Sequence, residues 1–252
     1  MRLVAIVLLT LGTVSVSAQY YMNVVQKDGG KVQYLVSNID SVYFSNEKDP
    51  ATNYEFVDLG LAVKWATCNV GATKPEEYGD YFAWGETEPK TDYTWWTTYK
   101  WCNGSNTTLT KYNTKSSYGT VDNKTTLDPE DDVAHVKWGG SWRMPTLEEQ
   151  DELRNNCTWT RYSSGNSEFG GVAGYKVTSN KEGYTDRFIF LPAAGYRLGK
   201  NLWDVGSLGY YWSSSLDTDR PNYAWRVSFY SSYVDAGDDD RSSGRSVRPV
   251  CP

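Results

Sequence analysis

The 252-residue sequence contains a single histidine, His135, and this limits the chemistry that the chain can perform. A metal site built on two imidazoles is excluded within one chain, and a Ser-His-acid arrangement would depend on His135 alone. No G-x-S-x-G motif marks a nucleophile. Since Val133 and Val136 flank the histidine in a predicted helix, we expect His135 to be an ordinary packed or surface residue.

Paired carboxylates could hydrolyse glycosidic bonds, and the sequence has acidic residues that could form such a pair. The candidates are Glu76, Glu77, Glu86 and Glu88. No pattern in the sequence fixes the separation that the two carboxylates of a glycosidase require, so we expect most of them to be solvated. We therefore predict that the protein is not an enzyme, and a carbohydrate-active enzyme is the least favoured alternative.

Two acidic clusters could supply oxygen ligands for calcium. They are Asp235, Asp238, Asp239 and Asp240 near the carboxyl terminus, and Asp128, Glu130, Asp131 and Asp132 before a predicted helix. Neither cluster has the spacing of an EF-hand, and the helix dipole by itself favours acidic residues in a first turn. We predict no metal and no cofactor, with calcium as an alternative.

The last part of the chain is the most informative stretch. Tyr223–Tyr230 alternates strictly, with Trp225, Val227 and Phe229 on one side, as in a half-buried strand. A second strand is predicted over Ser246–Cys251. Between them, SSYVDAGDDDRSSGR has almost no apolar side chains. We therefore predict a surface loop there, which is either a binding surface or a flexible connector.

Two helices are predicted before this tail. Asp128 is the expected cap of a short helix with Pro129 at its first position, and Thr146 with Glu149 forms a capping box for a second helix. Short apolar stretches separated by glycine and polar turns predict strands elsewhere. The fold class is therefore predicted to be α+β, with two helices packed on a mixed, mostly antiparallel sheet. The aromatic residues expected in its core are Trp65, Trp84, Trp142, Trp212 and Phe229.

The domain organisation follows from local composition. Arg2, an apolar run and the small residues up to Ala18 predict a secretory signal peptide. Two alternating runs joined by Asp28-Gly29 predict a small β-hairpin appendage, and IDSVYF at Ile39 predicts a third short strand beside it. The predicted boundaries are residues 1–18 for the signal peptide, 19–45 for the appendage, 46–53 for a polar linker and 54–252 for the main domain.

Composition excludes several classes of function. With 39% hydrophobic and 15% aromatic residues, the chain can bury a large core. Its net charge of −6 argues against nucleic acid as a partner, because phosphate binding needs a surplus of Lys and Arg. No stretch after the signal peptide is long enough to span a membrane. We therefore expect an exported protein, located in the periplasm, on the cell surface or outside the cell.

Export would allow disulfides between the four cysteines. Three pairings are possible. If the first and last strands of the main domain lie side by side, Cys68 with Cys251 and Cys102 with Cys157 is the simplest choice. Free buried thiols are the alternative.

Several motifs then identify a family resemblance. VKWATCNVG, GDYFAWGE, GGSWRMPT, LPAAGYR, GYYWSSS and SVRPV occur in this order between Val63 and Val250. As a set they resemble the Fibrobacter succinogenes major paralogous domain family, which is common in secreted proteins of Bacteroidales. That family is similar to the C-type lectin fold in its formylglycine-generating-enzyme-like form, which implies a C-type-lectin-like domain. The calcium-and-sugar motifs of true C-type lectins and the catalytic cysteine pair of formylglycine-generating enzymes are absent, so neither activity is implied.

The tail is also similar to the variable region of retroelement-diversified proteins, in which exposed positions bind a ligand. That resemblance implies the following ligand-binding residues here: Arg226, Ser228, Tyr230, Ser232, Tyr233, Asp235, Asp238, Asp239, Asp240, Arg241, Ser243 and Arg245. Tyr, Ser and Asp suit adaptable recognition. We expect an exported, non-enzymatic binding or adhesion domain whose Tyr230–Arg245 loop takes an extracellular protein or glycan ligand. A structural cell-surface component without a dedicated ligand is the main alternative.

Overall fold

The structure, a computed structural model, describes residues 20–25, 30–38, 54–231 and 233–252. The chain divides into two compact units, Met1–Asp49 and Pro50–Pro252. The predicted signal peptide, the predicted third strand at Ile39 and the predicted linker all lie outside the described residues. Within the described part of the chain, no helix is long and apolar enough to cross a membrane.

The first unit contains a pair of strands, β1 (Tyr21–Val25) and β2 (Lys31–Leu35). They pair antiparallel, with Met22 opposite Tyr34. The two alternating runs predicted for the appendage therefore do form paired strands.

Most of the described residues belong to the second unit, which contains eleven further strands and two α-helices. The helices are α1 (Val133–Trp138) and α2 (Leu147–Asn156). The strands are β3 (Phe56–Val57), β4 (Lys64–Ala66), β5 (Cys157–Tyr162), β6 (Gly174–Ser179), β7 (Phe188–Pro192), β8 (Tyr196–Leu198), β9 (Asn201–Trp203), β10 (Gly209–Leu216), β11 (Tyr223–Tyr230), β12 (Tyr233–Asp240) and β13 (Val250–Cys251).

The predicted α+β, C-type-lectin-like class is wrong, because the structure is mostly β. Strands account for 35% of the described residues and helices for 14%. The strands form five small antiparallel sheets, in the orders β1-β2, β13-β4-β3, β5-β6-β7, β8-β9 and β10-β11-β12. The sheets are small because frequent glycine and polar turns keep the strands short and favour pairing between strands that are neighbours in the sequence.

The two helices occur where they were expected, but only the second begins as predicted. In α2, the Thr146 hydroxyl accepts a hydrogen bond from the Glu149 N–H, and the Glu149 carboxylate accepts one from the Thr146 N–H, so the capping box is confirmed. α1 is capped by Asp132 rather than Asp128. Residues Pro129–Asp131 form a separate 3-10 turn before the helix. Within this turn the main-chain N–H groups of Asp131 and Asp132 already donate to the Asp128 carbonyl.

The core is built around the expected aromatic residues. Trp65, Trp84, Trp142, Trp212 and Phe229 are all at most 5% exposed. The indole N–H groups of Trp84 and Trp212 donate to main-chain carbonyls at 2.8 and 2.9 Å, so these two buried donors are satisfied. α2 is attached to β10 because the Gln150 side-chain amide donates to two β10 carbonyls. These contacts hold the β10-β11-β12 sheet against the rest of the unit.

Candidate functional site

The polar segment after Tyr230 is a strand rather than a loop. β12 pairs with β11 in an antiparallel hairpin that runs from the Tyr230–Tyr233 pair to the Tyr223–Asp240 pair. The prediction of a surface loop was wrong because Asp and Gly have low strand propensity, and pairing with a strongly β-forming neighbour overrides that propensity. Ser232, another predicted ligand-binding residue, lies outside the described residues.

The hairpin collects half of the predicted ligand-binding residues on one side. Directly opposed residues of an antiparallel pair point to the same face of a sheet. The residues that share this face, which we call the hairpin face, are Arg226, Ser228, Tyr230, Tyr233, Asp235 and Asp239. Tyr230 and Tyr233 lie at the turn end, are each 47% exposed, and have their ring centroids 5.3 Å apart. The turn end of the hairpin face is therefore open to a ligand.

Two arginines share one carboxylate on the hairpin face. Arg226 Nε lies 3.6 Å from Asp239 Oδ2, and Arg245 Nη2 forms an ion pair with the same oxygen. Arg226 Nη1 donates a hydrogen bond of 2.5 Å to Ser228 Oγ. Gly237 lies opposite Arg226, and a Cβ atom there would lie 3.2 Å from Arg226 Nη1. The small glycine therefore leaves room for the guanidinium to lie across β12.

Tyrosine rings cover these arginines. The Arg245 guanidinium carbon lies 4.4 Å from the ring centroid of Tyr210 and 5.2 Å from that of Tyr196, and the Arg226 carbon lies 5.0 Å from the Tyr210 ring. Such contacts stabilise a desolvated guanidinium. Burial lowers the pKa of Arg245, whose side chain is only 3% exposed. The sequence reasoning missed Tyr196 and Tyr210, although the alternation in GYYW puts Tyr210 and Trp212 on one side of β10.

Asp238 and Asp240 were also predicted to bind ligand, but they point to the opposite face of β12, because successive strand residues alternate. Asp238 forms an ion pair of 2.5 Å with Arg220. Burial, followed by the neighbouring charge of Asp239, raises the pKa of Asp240 to about 6. These two side chains are therefore separated from the hairpin face.

The Asp240→Asn variant is expected to be more stable than the wild type in neutral and alkaline solution. The folded-state pKa of about 6 exceeds the ordinary value of 3.8, so the ionised carboxylate destabilises the fold above that pKa. Asparagine removes this cost, which we expect to be about 1–2 kcal/mol. The difference should shrink as the pH falls through about 6 and vanish below the ordinary value of 3.8, where Asp240 is protonated in both states.

Denaturant unfolding of both proteins across this pH range measures the difference in the free energy of unfolding. Asp186→Asn is the control, since the Asp186 side chain is 78% exposed. A difference that stays constant with pH would contradict the expected ionisation of Asp240.

Arg241 and Ser243, both predicted to be exposed binding residues, lie in the interior at 0% and 4% exposure. Arg241 donates hydrogen bonds to the main-chain carbonyls of Lys111, Tyr112 and Pro221. The expectation of exposure was wrong because buried carbonyl groups need donors, and this polar segment supplies them.

The four cysteines are free thiols, so the predicted pairs Cys68–Cys251 and Cys102–Cys157 are wrong. β13 does lie beside β4, but Cys251 is opposite Lys64, whereas Cys68 lies beyond the end of β4. Cys102 and Cys157 pack in different clusters of the core. Burial raises the pKa of Cys157 to about 11, which keeps this thiol protonated at neutral pH.

Three acidic residues in the described part of the chain, Asp128, Glu130 and Asp131, place carboxylate oxygens within 4.8 Å of one another, as a metal site would. The Lys111 ammonium already lies 2.6 Å from both Asp128 and Asp131 and 3.6 Å from Glu130. Lys124 adds a second cation at 2.5 Å from Asp128. These lysines supply the positive charge that a bound ion would supply, so the cluster fits an ion-pair network better than calcium.

The residues considered for catalysis are held separately by other contacts. Glu86 and Glu88 form ion pairs with Lys90 and Lys137, at 2.8 and 2.5 Å. The His135 Nδ1 atom lies 3.3 Å from a main-chain oxygen. Each of these three groups therefore has a partner that accounts for its position.

Comparison with known proteins gives one partial match. A family model described as "Domain of unknown function (DUF8237)" matches residues 175–250, from the second residue of β6 to the first residue of β13. The matched region is well under half of the chain, but it contains the whole β11–β12 hairpin together with Tyr196 and Tyr210. No curated protein and no solved structure matches the chain.

Proposed function

We propose that the protein is an exported, non-enzymatic binding domain that holds a protein or glycan ligand on its hairpin face. The observation that carries this proposal is the grouping of six predicted residues on one face of the β11–β12 hairpin, with two exposed tyrosines at its open end. Tyrosine supplies a large contact area at a low entropic cost, while Arg, Ser and Asp offer donors and acceptors around it. The apolar run after Arg2 supports export, and the ordered motif set supports assignment to the Fibrobacter succinogenes major paralogous domain family.

Binding fits the hairpin face better than hydrolysis does. Asp239 and Asp240 are adjacent carboxylates, and the pKa of Asp240 is raised to about 6, as in a general acid. Because adjacent strand residues point to opposite faces, these two carboxylates do not flank a common substrate.

Replacing both exposed tyrosines is expected to weaken ligand binding strongly without unfolding the protein. The Tyr230→Ala/Tyr233→Ala double variant removes the open end of the hairpin face, and tyrosines at the centre of an interface often contribute most of its affinity. We expect binding to weaken by about tenfold or more. The measurement is binding of the full chain to an array of defined neutral and acidic oligosaccharides and purified cell-surface proteins.

Tyr34→Ala is the matched control, because Tyr34 is also 47% exposed but belongs to β2. Circular dichroism and the midpoint of thermal unfolding check that the double variant folds. A ligand that binds the double variant as well as the wild type, or the absence of binding to every probe on the array, would count against the proposal.

A further inference from the structure

A row of side chains extends the hairpin face across two more strands. Tyr210 in β10 lies opposite Ser228 in β11, which lies opposite Asp235 in β12. In the other direction, the Tyr196 ring lies 5.3 Å from the Tyr210 ring, and Tyr196 pairs with Trp203 across the β8–β9 hairpin. We call these five residues the aromatic row. With neighbouring strands about 4.8 Å apart, the row is about 19 Å long.

Two glycines allow the β8–β9 hairpin to meet β10. Gly195 and Gly209 form a parallel bridge between the two. Gly195 has a φ of +66°, and a Cβ atom on it would lie 2.0 Å from the Trp203 main-chain oxygen. Any other residue at position 195 would clash with the main chain at the end of β9, so the glycine lets this chain segment pass close to β9 where it bridges to β10.

Trp203 forms the exposed end of the aromatic row, with 47% of its surface open to solvent. A large indole left open to water at the end of a row of rings is typical of a binding surface. Leu202 is 41% exposed but is the adjacent residue of β9, so it points to the other face. Trp203 therefore belongs to the aromatic row and Leu202 does not, although the two side chains have similar exposure.

The arginine pair beside the row has more hydrogen-bond donors than partners. Arg226 and Arg245 share a single oxygen of Asp239. Among the described residues, Arg226 Nε and both Nε and Nη1 of Arg245 have no hydrogen-bond partner. The Arg245 side chain is 3% exposed, whereas that of Arg226 is 15% exposed. Arg226 is thus the cation that a ligand can reach, and Arg245 adds positive charge behind it.

We infer that the aromatic row and Arg226 bind an oligosaccharide that carries a carboxylate, such as a chain with one uronic acid residue. Sugar rings would lie against Trp203 and the tyrosines, their hydroxyl groups would meet Ser228 and Asp235, and the carboxylate would pair with the Arg226 guanidinium. This inference rests on the proposed function and names the ligand class for the same face.

The net charge of the chain restricts the ligand further. At −6, the protein repels an extended polyanion at long range. A mostly neutral chain with one acidic sugar avoids this repulsion, and its single carboxylate can pair with the partly exposed Arg226 guanidinium. An acidic peptide would also offer a carboxylate, but it would not provide a succession of sugar rings whose faces can pack against the aromatic row.

The decisive experiment uses two versions of one oligosaccharide, one carrying a single uronic acid and the other with that carboxylate reduced to an alcohol. Calorimetric titration of the full chain should show about tenfold tighter binding of the uronic acid form, because an arginine–carboxylate hydrogen bond is charge-assisted. Arg226→Gln should remove this preference, so that the two forms bind with equal affinity.

The second arm tests the row itself. Trp203→Ala should weaken the binding of both oligosaccharides by about tenfold, since the ring contributes to stacking regardless of ligand charge. Leu202→Ala removes an equally exposed apolar side chain from the other face of β9 and should leave both affinities unchanged. Circular dichroism of each variant checks that the fold is retained.

Three outcomes would overturn the inference. They are equal affinity for the two oligosaccharides in the wild type, a preference for the uronic acid form that survives in Arg226→Gln, and Arg226-dependent binding of a glutamate-containing peptide without binding of either sugar. The proposed function fails separately, if the Tyr230→Ala/Tyr233→Ala variant binds every probe as the wild type does. If binding is lost in that double variant but Trp203→Ala has no effect, the hairpin face remains the proposed binding site and the aromatic row is not part of it.

Discussion

Arg241→Met is expected to lower the free energy of unfolding by about 3–5 kcal/mol. Arg241 is fully buried and makes four hydrogen bonds, to the Tyr99 hydroxyl and to the carbonyls of Lys111, Tyr112 and Pro221. Methionine keeps most of the volume but leaves those carbonyls without donors in a dry environment, and each unsatisfied group has a cost.

Denaturant unfolding monitored by tryptophan fluorescence measures this loss. Arg187→Met is the matched control, because the Arg187 side chain is 58% exposed and pairs only with its neighbour Asp186 among the described residues. Surface ion pairs of this kind contribute little, so we expect a change below about 1 kcal/mol. If Arg241→Met were as mild as this control, the role assigned to the buried guanidinium would be wrong.

Arg248→Met is the second large effect that we expect, again about 3–5 kcal/mol. Its guanidinium donates to Asn69 Oδ1 and to the carbonyls of Ala66, Thr67 and Phe190, at 2.7–3.0 Å. Ala66 ends β4, Thr67 and Asn69 follow it, and Phe190 belongs to β7. One side chain in the SVRPV motif therefore ties together two sheets that share no strand.

Arg248→Lys separates the charge of the guanidinium from its shape. Lysine keeps the positive charge but has a single ammonium group, which does not span acceptors arranged around a planar fork. We expect it to lose nearly as much stability as Arg248→Met in the same unfolding measurement. Full stability of the lysine variant would show that charge alone is sufficient.

Local sequence patterns predicted those elements whose signal lies within a few residues. The strict alternation of Tyr223–Tyr230 gave β11, and Thr146 with Glu149 gave the start of α2, because side-chain period and capping are local properties. The buried tryptophans could also be predicted, since large aromatic residues in a chain of this size fill its core.

Elements that depend on distant partners could not be predicted. β12 is rich in Asp and Gly, and only its pairing with β11 makes it a strand. The three arginines of the tail have similar neighbours in sequence, yet Arg241 and Arg248 satisfy interior carbonyls while Arg245 lies behind the hairpin face. The role of each arginine depends on which hydrogen-bond acceptors without another donor lie near its guanidinium. Tertiary packing alone determines which acceptors these are.

The same β12 strand has a consequence for the behaviour of the protein in concentrated solution. It is the outermost strand of its sheet, and an open strand edge can template the addition of a strand from another molecule. Asp238 and Asp239 are paired with arginines, so Asp235 and Asp240 supply the negative charge on this strand that repels a second copy. Because the pKa of Asp240 is about 6, mild acidification removes part of that charge, and edge-to-edge aggregation then becomes easier. The protonation of Asp240 would thus set the lower pH limit for handling the protein as a monomer.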